Sequence, residues 1–274
     1  MRKLKPSPNE PVGELKRVLI RECGEALVDF REACPGLLLT SPVFGYQRAT
    51  LVRATVAEML NRALRFLPKG YRLGIIEGWR PIYVQRRMYL TSRMRFQNLH
   101  PEWNEATLTR TTNRFTHPPG AAAPPPHSSG GAVDVMLVDG NGERLDHHTP
   151  YAPFDRRSFP SYAKGLSETA RRHRAILSEA LLAAGMTNYP SEYWHWSYGD
   201  QGWAYRGPDQ AAEIPKDEFL RSHEWKPYAI YGPIVAPPGW TPCAEDDIDE
   251  PLERLWAGGE GSGFPTKGQS ETGS

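Results

Sequence analysis

His127-Ser128-Ser129-Gly130-Gly131-Ala132-Val133-Asp134 is the stretch on which the reading of this chain turns. A histidine and an aspartate stand on either side of a Gly-Gly pair, and glycine lets the backbone fold closely enough for both side chains to reach one ion. Further along comes Glu192-Tyr193-Trp194-His195-Trp196. A lone histidine beside a glycine turn is ordinarily a surface loop residue, and a Glu and a His at the start of an aromatic strand are ordinarily a surface acid and a half-buried ring. The two clusters together read differently. His127, Asp134 and His195 offer three ligands and leave a fourth position for water, whereas a structural zinc site fills all four, often with cysteine. Glu192, three residues before His195, supplies the base that such an open site needs. The pattern points to hydrolysis at one zinc per chain.

The surrounding sequence delivers these residues. Residues 117–126, rich in Pro, Gly and Ala, exclude regular structure and form a stiff loop leading to His127. Residues 132–138 read as a strand carrying Asp134, residues 139–142 as a turn with hairpin chemistry, and residues 143–146 as the return. Upstream, apolar residues recur at three and four from Gln47 to Phe66, a helix that Pro68-Lys69-Gly70 ends. Residues 71–77 read as a buried strand. Pro81 opens a basic helix that continues to about Leu99. Ser167 is placed to N-cap a helix running to Ala184, with Gly185 as its stop. Short strands follow at residues 186–188 and 195–198. Gly36-Leu37-Leu38-Leu39 is either a strand or a packed loop, since periodicity does not separate the two in so short a run. After Tyr205 no clear period is visible. The expected organisation is one catalytic domain over residues 1–256, with N- and C-terminal extensions, and a disordered tail over 257–274.

Composition narrows the function classes. Lys and Arg number 33 and Asp and Glu 32, so a net charge of +1 creates no global field for nucleic acid or anionic lipid. Cys23, Cys34 and Cys243 are odd in number and lack Cys-x-x-Cys spacing, which argues against a disulfide framework and a cysteine zinc site. The basic start lacks an apolar signal core, and no run approaches transmembrane length. A cytoplasmic protein without membrane or nucleic-acid partners is expected.

At the level of motifs the chain resembles the zinc D-alanyl-D-alanine dipeptidases associated with vancomycin resistance. These stand within a wider group of D,D-carboxypeptidases sharing the Hedgehog-type zinc fold. The pattern His-x-x-Gly-x-Ala-x-Asp is met by His127, Gly130, Ala132 and Asp134, Glu-x-x-His by Glu192 and His195, and Arg-Pro after a strand by Arg80 and Pro81. The resemblance spans roughly residues 40–205. It implies an α+β fold in which a small antiparallel sheet carries the ligands and helices pack on one face. It also implies that His127, Asp134 and His195 bind zinc, that Glu192 is general base then acid, and that Arg80 stabilises the oxyanion. The alternative for Arg80 is an ion pair with Glu77. A metallopeptidase of this kind takes a small peptide or amide and belongs to cell-wall biogenesis or degradation.

Two departures bear on the substrate. Pro125 stands where the family usually has Ser. The stretch Asp146-His147-His148-Thr149-Pro150-Tyr151-Ala152 places Ala152 where the dipeptidases carry an aspartate for the substrate's amino group, with Asp155 three residues further on. Tyr151, Ala152 and Asp155 are therefore the candidate substrate-binding positions. An ammonium without a carboxylate partner is costly to desolvate. The first reading is thus a D-Ala-D-Ala-like dipeptidase. The second is a zinc amidohydrolase of the same fold acting on an N-acyl or amine-blocked substrate in a specialised pathway, and the third a zinc-containing binding module without catalysis. Glu192 argues against the third. His147 and His148 are either a pocket or second metal site, or a solvated loop pair.

Overall fold

The computed structural model describes residues 12–40, 46, 48–148, 163–210, 223–224 and 226–241. Along it run α1 (Val12–Leu15), β1 (Leu27–Asp29), α2 (Phe30–Ala33), β2 (Leu38–Leu39), β3 (Leu51–Arg53), α3 (Ala54–Phe66), β4 (Arg72–Glu77), α4 (Ile82–Leu99) and α5 (Glu105–Phe115). After a 3-10 turn at Pro126–Ser129 follow β5 (Ala132–Val138), α6 (Glu168–Ala183), β6 (Thr187–Asn188), β7 (His195–Ser197) and α7 (Gln201–Gln210).

The architecture is α+β. Five strands make the main sheet in the order β2-β4-β5-β7-β6, antiparallel except for the edge pair β2–β4, which is parallel. β1 and β3 form a separate antiparallel pair. Alternation decides which side chains meet. Leu73 and Ile75 of β4, Val133, Val135 and Leu137 of β5 and Trp196 of β7 share one core with Val56, Met59, Leu60 and Ala63 of α3 and Leu177 and Leu181 of α6. That core, almost wholly shielded from water, supplies the hydrophobic drive that fixes the sheet's register.

The opposite face carries a smaller cluster in which Ile76, Met136 and Val138 meet Tyr46 and Val84 and Met88 of α4. Helices α3 and α6 thus pack on one face as expected, and α4 adds a partial cover to the other. A bulge in β4 matters here. Ile75 pairs with Val135 but Glu77 pairs with Asp134, leaving Ile76 as the extra residue. A bulge advances the side-chain alternation by one position, so Glu77 leaves the α3/α6 face and joins the α4 face.

Several local expectations hold and some need correction. Ser167 caps α6, its Oγ accepting from the Ala170 amide at 3.0 Å. The helix expected from Gln47 begins only at Ala54, because residues 51–53 are drawn into pairing with β1. The return after the 139–142 turn is a single bridge, Val138 with Arg144, rather than a strand. α5 and α7 are additions. Among the described residues no helix is long and apolar enough to cross a membrane. The tail at 257–274 lies outside the described residues.

Candidate metal centre

Register places the site. Glu77 pairs with Asp134 and Asp134 with His195, so one acid, a second acid and an imidazole form a row across β4, β5 and β7 on the α4 face. His127 joins them from the 3-10 turn. One ligand atom from each of His127, Asp134 and His195 lies within 4.8 Å of the others, and all three residues are buried. The structure brings together the three residues that the sequence singles out as candidate ligands.

The loop bearing His127 is stitched to the Gly78-Trp79-Arg80 run. The His127 ring Nδ1 lies 2.9 Å from the Gly78 carbonyl. The Arg80 amide donates to the His127 carbonyl at 3.1 Å, and the Trp79 indole N–H to the Ser128 carbonyl at 3.2 Å. Gly78 is required by close approach, since a Cβ there would come within 2.5 Å of the Leu51 carbonyl oxygen. Gly130 ends the turn at φ 72°, a left-handed conformation that glycine adopts without strain.

The hydrogen-bond logic at His127 favours a cation. A carbonyl only accepts, so Nδ1 carries the proton and Nε2 faces Asp134 Oδ1 at 3.3 Å. His195 Nδ1 points at the same oxygen from 3.1 Å. Two imidazole nitrogens converging on one carboxylate oxygen need either a proton or a metal ion between them, and an acceptor-only set of two His and one Asp fits an open zinc site. Without an ion, burial opposes charge, yet Asp134 raises the His127 pKa, and the two rings hold the Asp134 carboxyl far below the usual carboxylate range. Burial pushes the His195 pKa down.

Arg80 lies beside this group, its pairing with Glu77 present and reinforced by Gln85, whose side-chain oxygen accepts at 2.7 Å. Gln85 in turn donates to the His117 carbonyl at 2.8 Å, tying Arg80 to the loop before His127. Glu77 also accepts from the Tyr46 hydroxyl at 2.5 Å. Burial works against the guanidinium charge, but Glu77, with lesser help from Asp134, holds the Arg80 pKa well above its ordinary value. Arg80 Nε is buried without a hydrogen-bond partner among the described residues.

Glu192 is half-buried in the turn that leads into β7, its amide donating to the Tyr189 carbonyl and its carbonyl accepting from the His195 amide at 3.1 Å. The Asn188 carboxamide braces that turn, donating to the carbonyls of Glu192 at 3.1 Å and His195 at 3.0 Å. Gln85 and Asn188 were not singled out for the site, and Glu77 only as a pairing partner of Arg80, because contacts across strands or turns leave no local pattern. Tyr151, Ala152 and Asp155 fall outside the described residues. His147 corrects the reading as a solvated pair. It is 1% exposed, stacks on Tyr193 with ring centroids 5.3 Å apart, and accepts the Leu137 amide at Nε2. His148 is only partly covered, its amide donating to Asp146.

Residues 30–217 match the model of the D-ala-D-ala dipeptidase family, a stretch that contains both ligand motifs and the Arg80 run. The chain belongs to this family. The dipeptidase family gives the protein its class, an enzyme of the metallopeptidase type. A D-alanyl-D-alanine dipeptidase of Synechocystis sp. is 26% identical over 231 residues, which cover 72% of this chain and 91% of that protein. A D-alanyl-D-alanine dipeptidase of Escherichia coli K12 is 32% identical over 69 residues, covering 25% of this chain and 35% of that one. Among solved structures, a vancomycin-resistance D,D-pentapeptidase VanY in complex with zinc(II) is 14% identical at a TM-score of 0.36, covering 67% of this chain and 97% of that one.

Proposed function

We propose that this dipeptidase-family enzyme hydrolyses a small D-Ala-D-Ala-like dipeptide with zinc held by His127, Asp134 and His195. The observation that carries the reading is the convergence of those three buried ligand atoms within 4.8 Å. When bound, zinc supplies a Lewis acid that polarises the amide carbonyl and brings the pKa of water to about 7. Glu192 takes the proton of the attacking water and hands it to the leaving amine, which lets the C–N bond break with a neutral product. Its place on a braced turn three residues before His195 supports this role. Arg80 faces the negative charge that develops on the tetrahedral oxygen. Its firm charge, fixed by Glu77 and Gln85, supports the assignment, because a preorganised cation in a dry site needs no reorganisation as charge appears.

One sequence feature favours a second reading. Ala152, at the position where the family pattern puts the amine-binding acid, suits an amine-blocked or N-acyl substrate, with Asp155 as the substitute carboxylate if the amine is free. Zinc-loaded protein given D-Ala-D-Ala and its N-acetyl form tests both. Cleavage of the free dipeptide, abolished in Asp155→Ala, supports the first reading. Preference for the acetylated form, reversed in Ala152→Asp by roughly ten- to a hundredfold in kcat/KM for a contact of about 1.5–3 kcal/mol, supports the second. Cleavage of neither removes the peptidase assignment for this substrate class.

A further inference from the structure

Arg53 is 1% exposed, yet it lies outside the ligand row and the sequence motifs. All five of its side-chain N–H donors are placed. Nε donates to the Ser129 carbonyl at 2.8 Å, Nη1 to Glu22 at 3.0 Å and to the Glu25 carbonyl, and Nη2 to Glu22 at 3.0 Å and to the Gly232 carbonyl at 3.3 Å. Its backbone amide adds a bond to the Gly130 carbonyl at 2.9 Å, and its guanidinium lies 4.6 Å from the centre of the Tyr231 ring.

The location of these bonds gives them meaning. Ser129 and Gly130 belong to the short link between His127 and Asp134, so Arg53 grips the segment that sets the distance between the first two ligands. It also joins that link to a strap, residues 229–234, beyond the stretch matched to the family. The strap is bound in turn to the same loop, the Ile234 amide donating to the Ser128 carbonyl at 2.8 Å, and to the N-terminal segment, where Gly232 donates to Glu22 at 2.5 Å.

We propose that Arg53, together with Glu22 and the strap, is a positioning residue for the metal ligands, holding the 127–134 link at the spacing that zinc requires. A fork of five donors is suited to this because it fixes several carbonyls in one plane, which a lysine ammonium does not. The inference rests on the metal reading given under the proposed function, and the test separates the two.

Zinc dissociation constants are measured by chelator competition on full-length wild type, Arg53→Met, Arg53→Lys, Glu22→Gln and Leu177→Ala, alongside the melting temperature of each metal-free protein. Partners behind a metal ligand typically carry 10- to 100-fold in affinity, so Arg53→Met is expected to weaken zinc binding by roughly that factor, and Arg53→Lys by less. Leu177→Ala, a core change remote from the link, lowers the melting temperature but leaves zinc affinity unchanged. If Arg53→Met does not fold, Arg53→Lys and the more exposed Glu22→Gln decide, both with weakened zinc binding. Wild-type affinity in the Arg53 and Glu22 variants, with only a lower melting temperature, overturns the positioning role while leaving the metal site intact. A wild type that binds no zinc overturns the metal reading and this inference together.

Discussion

Glu192, in the turn before β7, and His195, its first residue, are proposed for different duties, base and metal ligand, and a conservative substitution separates the two. Glu192→Gln fills the same volume and keeps the turn's backbone bonds, but an amide does not accept the water proton. Turnover should fall by on the order of a hundred- to ten-thousandfold, with zinc content and melting temperature near wild type. Steady-state kinetics with metal analysis on one preparation checks this, and a near-normal rate at neutral pH would take the base role from Glu192. The candidate ligands and the candidate base were legible because histidine, aspartate and glutamate at fixed spacing are rare enough to be read locally. Their supports were not. Asn188 touches carbonyls within its own turn, Glu77 reaches Asp134 only through strand register, and Arg53 bonds to Ser129 and Gly232 far along the chain. None of these contacts leaves a periodic or compositional trace in the sequence.

The elements behave in the same divided way. α3, α4 and α6 were readable from their apolar spacing or their caps, and β5 from its apolar run between a glycine pair and a turn. α5 was missed although Asn104 stands as its N-cap, accepting from the Thr107 amide at 2.9 Å, because the helix itself is polar. α7 contains Gly202, Gly207 and Pro208, which depress helix propensity, and it forms where Asp200 caps it by accepting from the Trp203 amide at 2.6 Å. The bulge at Ile76 was invisible for a different reason: it inserts one residue without changing composition, yet it decides which face Glu77 occupies. The end of β4 is consequently exacting backbone, as is the Gly130-Gly131 link. Gly78→Ala would drive a methyl to within 2.5 Å of the Leu51 carbonyl and 2.9 Å of Val52, displacing the Gly78 carbonyl that orients His127. Overpacking of this kind typically costs about 1–3 kcal/mol, and here zinc affinity should fall with stability. Chemical denaturation paired with zinc titration tests the coupling, and lost stability with unaltered affinity would mean that His127 keeps its orientation without Gly78.

For the molecule as a whole, the proposed ligands bring a 3-10 turn, β5 and β7 to one point, so an ion bound there would stabilise the folded chain and a chelator would remove that share. At a hundred times its dissociation constant, free zinc should add about 2.7 kcal/mol, visible as a raised melting temperature that His195→Ala abolishes. Acid acts elsewhere, on His147, which joins β5 to α6: its Nδ1 donates to the Leu145 carbonyl at 2.8 Å and its own carbonyl accepts from Arg174 at 2.6 Å. Burial, helped by the neighbouring His173 and Arg174, lowers its pKa from 6.5 to about 3. Above pH 6.5 the ring is neutral in folded and unfolded chains alike and costs nothing. Below that pH the unfolded chain takes up a proton that the folded chain refuses until about pH 3, so stability falls with acidification across this window, at up to about 1.4 kcal/mol per pH unit. Between pH 7 and pH 5 this one group should remove about 2 kcal/mol. His147→Gln keeps a donor and an acceptor at the site but does not titrate. Urea denaturation at the two pH values, in chelator so that zinc release does not contribute, should show the variant less stable than wild type at pH 7 but losing about 2 kcal/mol less on the way to pH 5. Equal losses in the two proteins would mean that the folded state admits the proton, and that the polar contacts around His147 rearrange to hold an imidazolium.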